Sequence, residues 1–428
     1  MRAALVVVGD LGRSPRMQYH ARALASHDAA VDLIGYAGAV LPQSIAGDPH
    51  IAVHRVGEPR LRHRAGRSTT LYVLFALVDG VRSALRIGGV LWKVPRPDLV
   101  LVQNPPSVPA LFVAWLVARF RKAKLVIDWH NLGYTLLALR LGRWHPMVRL
   151  ARWFERSFGG RADAHLCVSR GFAKLLEDRF QLAPVTVLYD RPAAVFVPVP
   201  GGERERLRQA LFSRLGVRGA VHVGFIICPT SWTEDEDFDV VIDAVPRLEE
   251  RIRGWEAGQH GRRFSDLVIL VTGDGRRRKE FELRFAGLPA RRVQLRTRWL
   301  EPEDYPRIVG AADLGLCLHR SSSGVDIPMK VADLFGAGVP VCALDYGASL
   351  AERVRHGDNG LLFSTARQLA DVLFELFESF PDDQSQLARL RAGARRSAQP
   401  TWEEGWVQEA RPVLLSEPPR APGTQRRR

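Results

Sequence analysis

Apolar, β-rich runs of strand length alternate with helical patterns along this chain, and few architectures accommodate that alternation. A sheet covered by helices on both faces has strands that read as continuous hydrophobic segments, and joining each strand to the next through a helix makes them parallel. Strand candidates in the first half are residues 3–8, 30–36, 51–56, 99–102, 124–128, 164–168 and 185–188; in the second half they are 221–228, 267–272, 293–295, 314–318 and 339–344. A chain of 428 residues exceeds one ordinary core, so an α/β protein with two Rossmann-like domains of roughly 200 residues each is expected. Pro192, Pro198, Pro200, Gly201 and Gly202 mark the break between them. The expected division is a first domain over 1–198, a linker over 199–218, a second domain over 219–411, and a proline-rich basic tail over 412–428 that is expected to be disordered.

The charge balance narrows the partners. Lysine and arginine number 61 against 46 acids, a formal charge of +15, which favours polyanions: nucleic acid, anionic lipid head groups or diphosphates. The basic residues are dispersed and accompany no recognition motif or zinc spacing, so nucleic acid is not an expected partner. Cys167, Cys228, Cys317 and Cys342 each sit inside apolar strand-like runs, the setting of buried reduced thiols. The start of the chain is strand-length and not a secretory signal. No apolar run reaches the roughly 20 residues of a membrane span: the best is 108–118, and 71–92 is interrupted by Asp79, Arg82 and Arg86.

Chemistry gathers at the carboxyl ends of the strand candidates, where open α/β sheets bind ligands. The richest stretch is LGLCLHRSSSGVDIPMKVADLFGAGVPV, residues 314–341: an apolar strand, a Ser/Gly loop, then a helix entered by Lys330 and Asp333. Helix-start amides and an ammonium favour phosphate oxygens, and a carboxylate one turn later can accept hydrogen bonds from a sugar diol. Ser323 and Gly324 supply a polar, permissive cradle. The stretch reads as a nucleotide-sugar site, the plain alternative being a surface Lys–Asp helix pair. The first strand ends in GDLGRSPR, residues 9–16, where Gly12 and Arg13 form a candidate phosphate-facing loop. His130 and Asp128 leave another strand end as candidates for a general base and its orienter respectively, unless His130 merely caps a helix or bonds the backbone. Ser231 and Trp232 could contact phosphate or sugar. They precede the acidic run 234–237, expected to be a helix first turn with a Thr233–Glu236 capping box and not a metal site. Gly273 and Trp299 would line the same face, Trp299 either beside a nucleobase or over the 302–308 segment.

These stretches, with LVQNPPSVP (101–109), LVIDWHNLGY (125–134), PTSWTEDEDF (229–238), WLEPEDYP (299–306) and NGLLF (359–363), resemble the chitobiosyldiphosphodolichol β-mannosyltransferase family, which adds the first mannose of the lipid-linked oligosaccharide for N-glycosylation. They sample nearly the whole chain, and SWTEDEDF and SSSGVDIPMKVADLFG are the most specific. The resemblance implies a GT-B glycosyltransferase fold of two facing Rossmann-like domains, GDP-mannose as donor and GlcNAc2-diphosphodolichol as acceptor. It implies inversion at the anomeric centre, a β-1,4 linkage, no cofactor and no metal. Related retaining enzymes carry two glutamates separated by seven residues in the donor segment. Here Val325 and Asp333 occupy those places, a departure typical of this family.

The implied setting is the cytosolic face of the endoplasmic reticulum membrane, with an anionic membrane surface and other mannosyltransferases as partners. Relatives usually begin with a membrane-anchoring helix, whereas this sequence starts at its first strand; either peripheral attachment replaces the anchor, or the lineage is unusual or the sequence trimmed. The candidate surfaces are 108–118 with Arg119, Arg121, Lys122 and Lys124, and the 71–92 stretch. In this reading His130 and Asp128 are catalytic, and Gly12, Arg13, Ser231, Trp232, Gly273, Trp299, Ser323, Gly324, Lys330 and Asp333 bind the donor. A dinucleotide-dependent oxidoreductase would carry G-x-G-x-x-G after the first strand, and residues 9–12 do not fit it. A catalytically inactive relative acting as a membrane-associated scaffold is the alternative that remains.

Overall fold

The computed structural model describes residues 1–59, 61, 69–182, 184–217, 223–259, 262–275 and 277–416. Two compact units result: Met1–Tyr189 joined by the chain from Glu403 onward, and Asp190–Trp402. The first holds a seven-stranded sheet of order β3-β2-β1-β4-β5-β6-β7. Its strands are β1 (Arg2–Asp10), β2 (Ala30–Tyr36), β3 (Ile51–Val56), β4 (Leu99–Asn104), β5 (Lys124–Trp129), β6 (Ala164–Cys167) and β7 (Val185–Val187). The second holds a six-stranded sheet of order β10-β9-β8-β11-β12-β13, built from β8 (Gly224–Pro229), β9 (Leu267–Thr272), β10 (Val293–Arg298), β11 (Leu314–Cys317), β12 (Val341–Leu344) and β13 (Gly360–Phe363). Every pairing in both sheets is parallel.

The strand sequences explain the layering. In the second sheet Ile226, Ile269 and Leu316 enter one core layer, while their neighbours Ile227, Leu270 and Cys317 enter the other. Side chains alternate faces along a strand, so both faces must be apolar to be buried, and the segments read as unbroken hydrophobic runs. In each sheet the strand order reverses beside the unit's first strand, between β1 and β4 and between β8 and β11. Ligands of such sheets bind at the carboxyl ends at that reversal.

The division differs from the sequence expectation at both boundaries. Helix Gly201–Arg214, inside the expected linker, belongs to the second unit: its Arg204 and Arg208 join Arg391 around the buried Asp313. The tail is ordered at least through Ser416, because the buried Lys124 ammonium donates to Val413 O at 2.6 Å and Ser416 Oγ at 2.8 Å. Residues 417–428 lie outside the described residues, as do 221 and 222 of the expected strand 221–228. Sequence reasoning missed β13, a four-residue strand. The acidic run is also corrected: residues 230–238 form a loop and the helix begins at Asp239. All four cysteines are buried and none is in a disulfide. Among the described residues no helix is long and apolar enough to cross a membrane.

Candidate active site

In the first unit β5 delivers Asp128, and His130 follows just past its end. Asp128 is fully buried. Its Oδ1 accepts from Arg16 Nη2 at 2.9 Å; its Oδ2 accepts from Arg16 Nε at 2.8 Å, His130 Nε2 at 2.9 Å and His20 Nε2 at 3.2 Å. Helix Pro15–Ala25 places Arg16 and His20 one turn apart on one face. Burial alone would raise the Asp128 carboxyl, but the Arg16 guanidinium and the histidine hydrogen bonds outweigh it and hold the group well below the usual carboxylate range.

An ionised carboxylate only accepts, which fixes the histidine tautomers. The Trp406 indole N–H donates to His20 Nδ1 at 3.0 Å, so His20 carries its proton on Nε2, and burial lowers its pKa. His130, with one-fifth of its side chain exposed, likewise turns Nε2–H to Asp128, which leaves Nδ1 as the ring nitrogen that this carboxylate does not engage. Its backbone is fixed as well: His130 N donates to Asn104 O at 2.9 Å. Below it, buried Glu155 accepts from Gly133 N at 2.7 Å and Asn104 Nδ2 at 3.1 Å, tying the helix start after His130 to the end of β4.

In the second unit the loops after β8 and β11 are stitched together. Lys330, at the start of helix Met329–Gly336, forms an ion pair with the buried Glu236. Glu236 also accepts from the Thr230 hydroxyl and from Ser231 N at 3.2 Å. Burial opposes the Lys330 ammonium, yet the Glu236 carboxylate beside it holds its pKa above the ordinary lysine value. His319 sits between Asp326, 2.7 Å from Nε2, and Asp235, 3.3 Å from Nδ1. Burial disfavours its charge, but the two carboxylates win and push it up to about 9, making it an imidazolium at neutral pH. Asp333 lies one turn beyond Lys330, whose ammonium favours its ionised form, but burial and then the Asp190 carboxylate outweigh that and push it up to about 8. It therefore keeps its proton at neutral pH and offers an O–H. No cluster of His, Cys, Asp and Glu suited to a metal ion occurs among the described residues.

Comparison with known proteins identifies the lineage. Residues 12–192 match the glycosyl transferase 4-like domain and residues 223–379 match glycosyl transferases group 1. The human chitobiosyldiphosphodolichol beta-mannosyltransferase is 36% identical, the match covering 96% of this chain and 92% of the human one. The Yarrowia lipolytica protein of the same name is 36% identical, over 96% and 86%. The chain belongs to the chitobiosyldiphosphodolichol β-mannosyltransferase family. An Arabidopsis thaliana relative named UDP-glycosyltransferase TURAN is 36% identical, over 96% of this chain and 97% of its own. Among solved structures, Anabaena HepE in complex with UDP and glucose superposes with TM-score 0.64 at 17% identity, over 97% of this chain and 99% of that one. A Rickettsia africae glycosyltransferase gives 0.63 at 14%, over 97% and 98%. These likenesses establish the GT-B fold, and the family makes the chain a glycosyltransferase.

In this β-mannosyltransferase-family chain several residues named from sequence come together. His130 and Asp128 share a hydrogen bond, and Ser231, Ser323, Gly324, Lys330 and Asp333 lie on the two stitched loops and the helix they enter. Gly273 is required where it stands: φ is +96°, and a Cβ would lie 1.9 Å from Thr230 O. Trp299 follows β10 and is 46% exposed. Other assignments change. Trp232 points into the core, 3% exposed and stacked on Phe238 at 4.6 Å, so it supports the loop and does not face a ligand. The Gly12 amide donates to Asp10 Oδ1 at 2.9 Å, and the exposed Arg13 lies 3.6 Å from Asp10, so that turn is closed on its own carboxylate. The Ser323 hydroxyl donates to Asp326 at 3.2 Å, with Ser321 on the same oxygen, and serves loop closure. Arg16, His20, Glu236 and His319 were missed. Only the Arg16–His20 spacing of four, a polar pair on an otherwise apolar helix face, could have signalled two of them.

Proposed function

We propose that this chain transfers mannose from GDP-mannose to a lipid-linked chitobiosyl diphosphate, inverting the anomeric centre to form a β-1,4 linkage. The printed names of its human and Yarrowia relatives give those proteins a β-mannosyltransferase activity on chitobiosyldiphosphodolichol. The observation that carries a catalytic role here, and not a scaffolding one, is His130 held by an ionised, fully buried Asp128 with Nδ1 left able to take a proton.

In the proposed reaction the acceptor 4-hydroxyl attacks C1 of mannose as His130 Nδ1 takes its proton, and GDP departs from the opposite face. Asp128 stabilises the imidazolium that forms. Lys330 exchanges its Glu236 contact for a diphosphate oxygen, and helix-start amides share the developing charge. The Asp333 O–H donates to a donor hydroxyl. Charge on the leaving group is met by these residues, so a metal ion is dispensable. The site of action is the cytosolic face of the endoplasmic reticulum membrane, with the chain bound peripherally.

The name of the Arabidopsis relative favours a UDP-sugar as the competing donor. Product analysis tests the reading: purified chain given GDP-mannose and a phytanyl chitobiosyl diphosphate should form GDP and a lipid-linked trisaccharide whose terminal mannose is sensitive to β-mannosidase and resistant to α-mannosidase. An α-linked product, or transfer from a UDP-sugar in preference, would refute it.

A further inference from the structure

We propose that Trp406, on the segment that returns to the first unit after the second is complete, is a positioning residue for transfer: its indole N–H holds His20 neutral, and a neutral His20 lets His130 take the acceptor proton. The inference rests on the reading of His130 as the base and adds a residue that this reading does not use.

Trp406 opens the helical turn Trp406–Ala410 and, like His20, is fully buried. The chain from Glu403 onward belongs to the first unit. It is held there at a second point as well, since Lys124, grouped from sequence with a candidate membrane surface, donates instead to Val413 O at 2.6 Å. The indole lies along helix Pro15–Ala25 and its exit: its N–H reaches His20 Nδ1 at 3.0 Å, and its ring centroid is 5.3 Å from that of His27. An indole nitrogen can only donate. It therefore demands a lone pair on His20 Nδ1. The two other states of that ring, the Nδ1–H tautomer and the imidazolium, would set two N–H groups against each other inside the unit.

Charge makes that demand matter. Asp128 from β5, Arg16 from its own helix and His130 from the loop after β5 face His20, with the indole at its other nitrogen. Arg16 and Asp128 cancel, so the resting cluster is neutral while both histidines are uncharged. Transfer adds one proton, on His130, and the Asp128 carboxylate is there to meet it. A proton on His20 would draw on the same Oδ2 oxygen that His130 uses and place a second cation beside the first, making His130 a weaker base. Burial lowers the His20 pKa while Asp128 pulls it back up; the indole N–H acts with burial.

The pH profile of kcat separates this role from packing. The wild type should lose activity on the acid side through one ionisation, that of His130. Trp406→Phe keeps an aromatic ring and removes the N–H, so its acid-side loss should follow two ionisations as His20 also gains a proton. Relative to wild type, the variant should lose about tenfold more kcat at pH 6 than at pH 8, with KM for GDP-mannose unchanged. His20→Gln keeps a donor for Asp128 and cannot titrate; whatever its own rate, adding Trp406→Phe to it should bring no further acid-side loss. Nitrogen-15 spectra of histidine-labelled chain read the same protonation without turnover. The His20 signal, assigned by its absence in His20→Gln, should stay that of a neutral ring protonated on Nε2 from pH 8 to pH 6 in the wild type, and should show a proton gained over that range in Trp406→Phe. An unchanged profile, a loss of kcat equal at both pH values, acid-side loss that persists in the double variant, or a wild-type His20 charged at pH 6 would overturn the proposal. The last is read on the wild type, whether or not Trp406→Phe folds. An unimpaired His130→Ala would instead strike the base, while the spectra still reported the state of His20.

Discussion

The proposed role of His130 as a base rests on what surrounds Asp128. Arg16 keeps that carboxylate ionised inside the unit, and the carboxylate in turn takes Nε2–H of His130. His130→Ala should therefore lower kcat about a hundredfold or more while donor affinity, measured by calorimetry, stays at the wild-type value. The strand-end position of Asp128 and His130 was legible because chemistry in parallel sheets collects there. Arg16 and His20 were not, since 112 and 108 residues separate them from Asp128 and nothing local marks a long-range partner. Asp333 illustrates a finer limit. Its place beside Lys330 was legible, its protonation was not, because the burial and the nearby Asp190 that push it up to about 8 come from the fold. A neutral Asp333 implies that Asp333→Asn keeps donor affinity near pH 7 and Asp333→Ala loses it. Equal loss in both would mean that the ionised form binds.

At the scale of elements, the loop 230–238 carries the clearest conflict between local signal and fold. Thr233 and Glu236 have capping-box spacing, yet Glu236 turns inward to Lys330 and Thr230, and Asp235 meets His319. Three-dimensional partners override a local helix signal of this kind. Glu236→Ala would leave a mostly buried ammonium without its carboxylate, and breaking such a pair costs roughly 3–5 kcal/mol. Denaturant unfolding should detect that loss in the second unit, and Glu236→Gln paired with Lys330→Met should regain most of it without regaining donor affinity. His319 gives the same stitching a pH dependence. Its folded pKa of about 9 lies above its ordinary 6.5, so its stabilisation is complete below about 6.5 and is lost as pH rises towards 9. Asp333, raised from 3.8 to about 8, acts in the same direction, favouring the folded state less as pH rises through that interval. Unfolding midpoints should fall from pH 6.5 to 9, and His319→Gln should flatten that fall. A midpoint that rises with pH in the wild type would contradict the assignment.

Across the whole molecule, the class of fold was legible because period-two burial on both faces of a parallel sheet leaves long apolar runs, and twelve strands announced themselves that way. The unit boundaries were not legible. Helix Gly201–Arg214 looks like charged linker until Asp313 gathers its arginines, residues 403–411 look like the end of the second domain until Trp406 reaches His20, and 412–416 look like tail until Lys124 reaches Val413. Those contacts join residues up to 386 positions apart, beyond anything local composition encodes. The central claim is transfer of mannose from GDP-mannose, and acceptor-dependent transfer of radiolabelled mannose to phytanyl chitobiosyl diphosphate by the purified chain tests it most directly. The account predicts transfer that persists in EDTA and drops about a hundredfold or more in His130→Ala; no transfer by the wild type, transfer abolished by EDTA and restored by Mg²⁺ or Mn²⁺, or an unimpaired His130→Ala would contradict it.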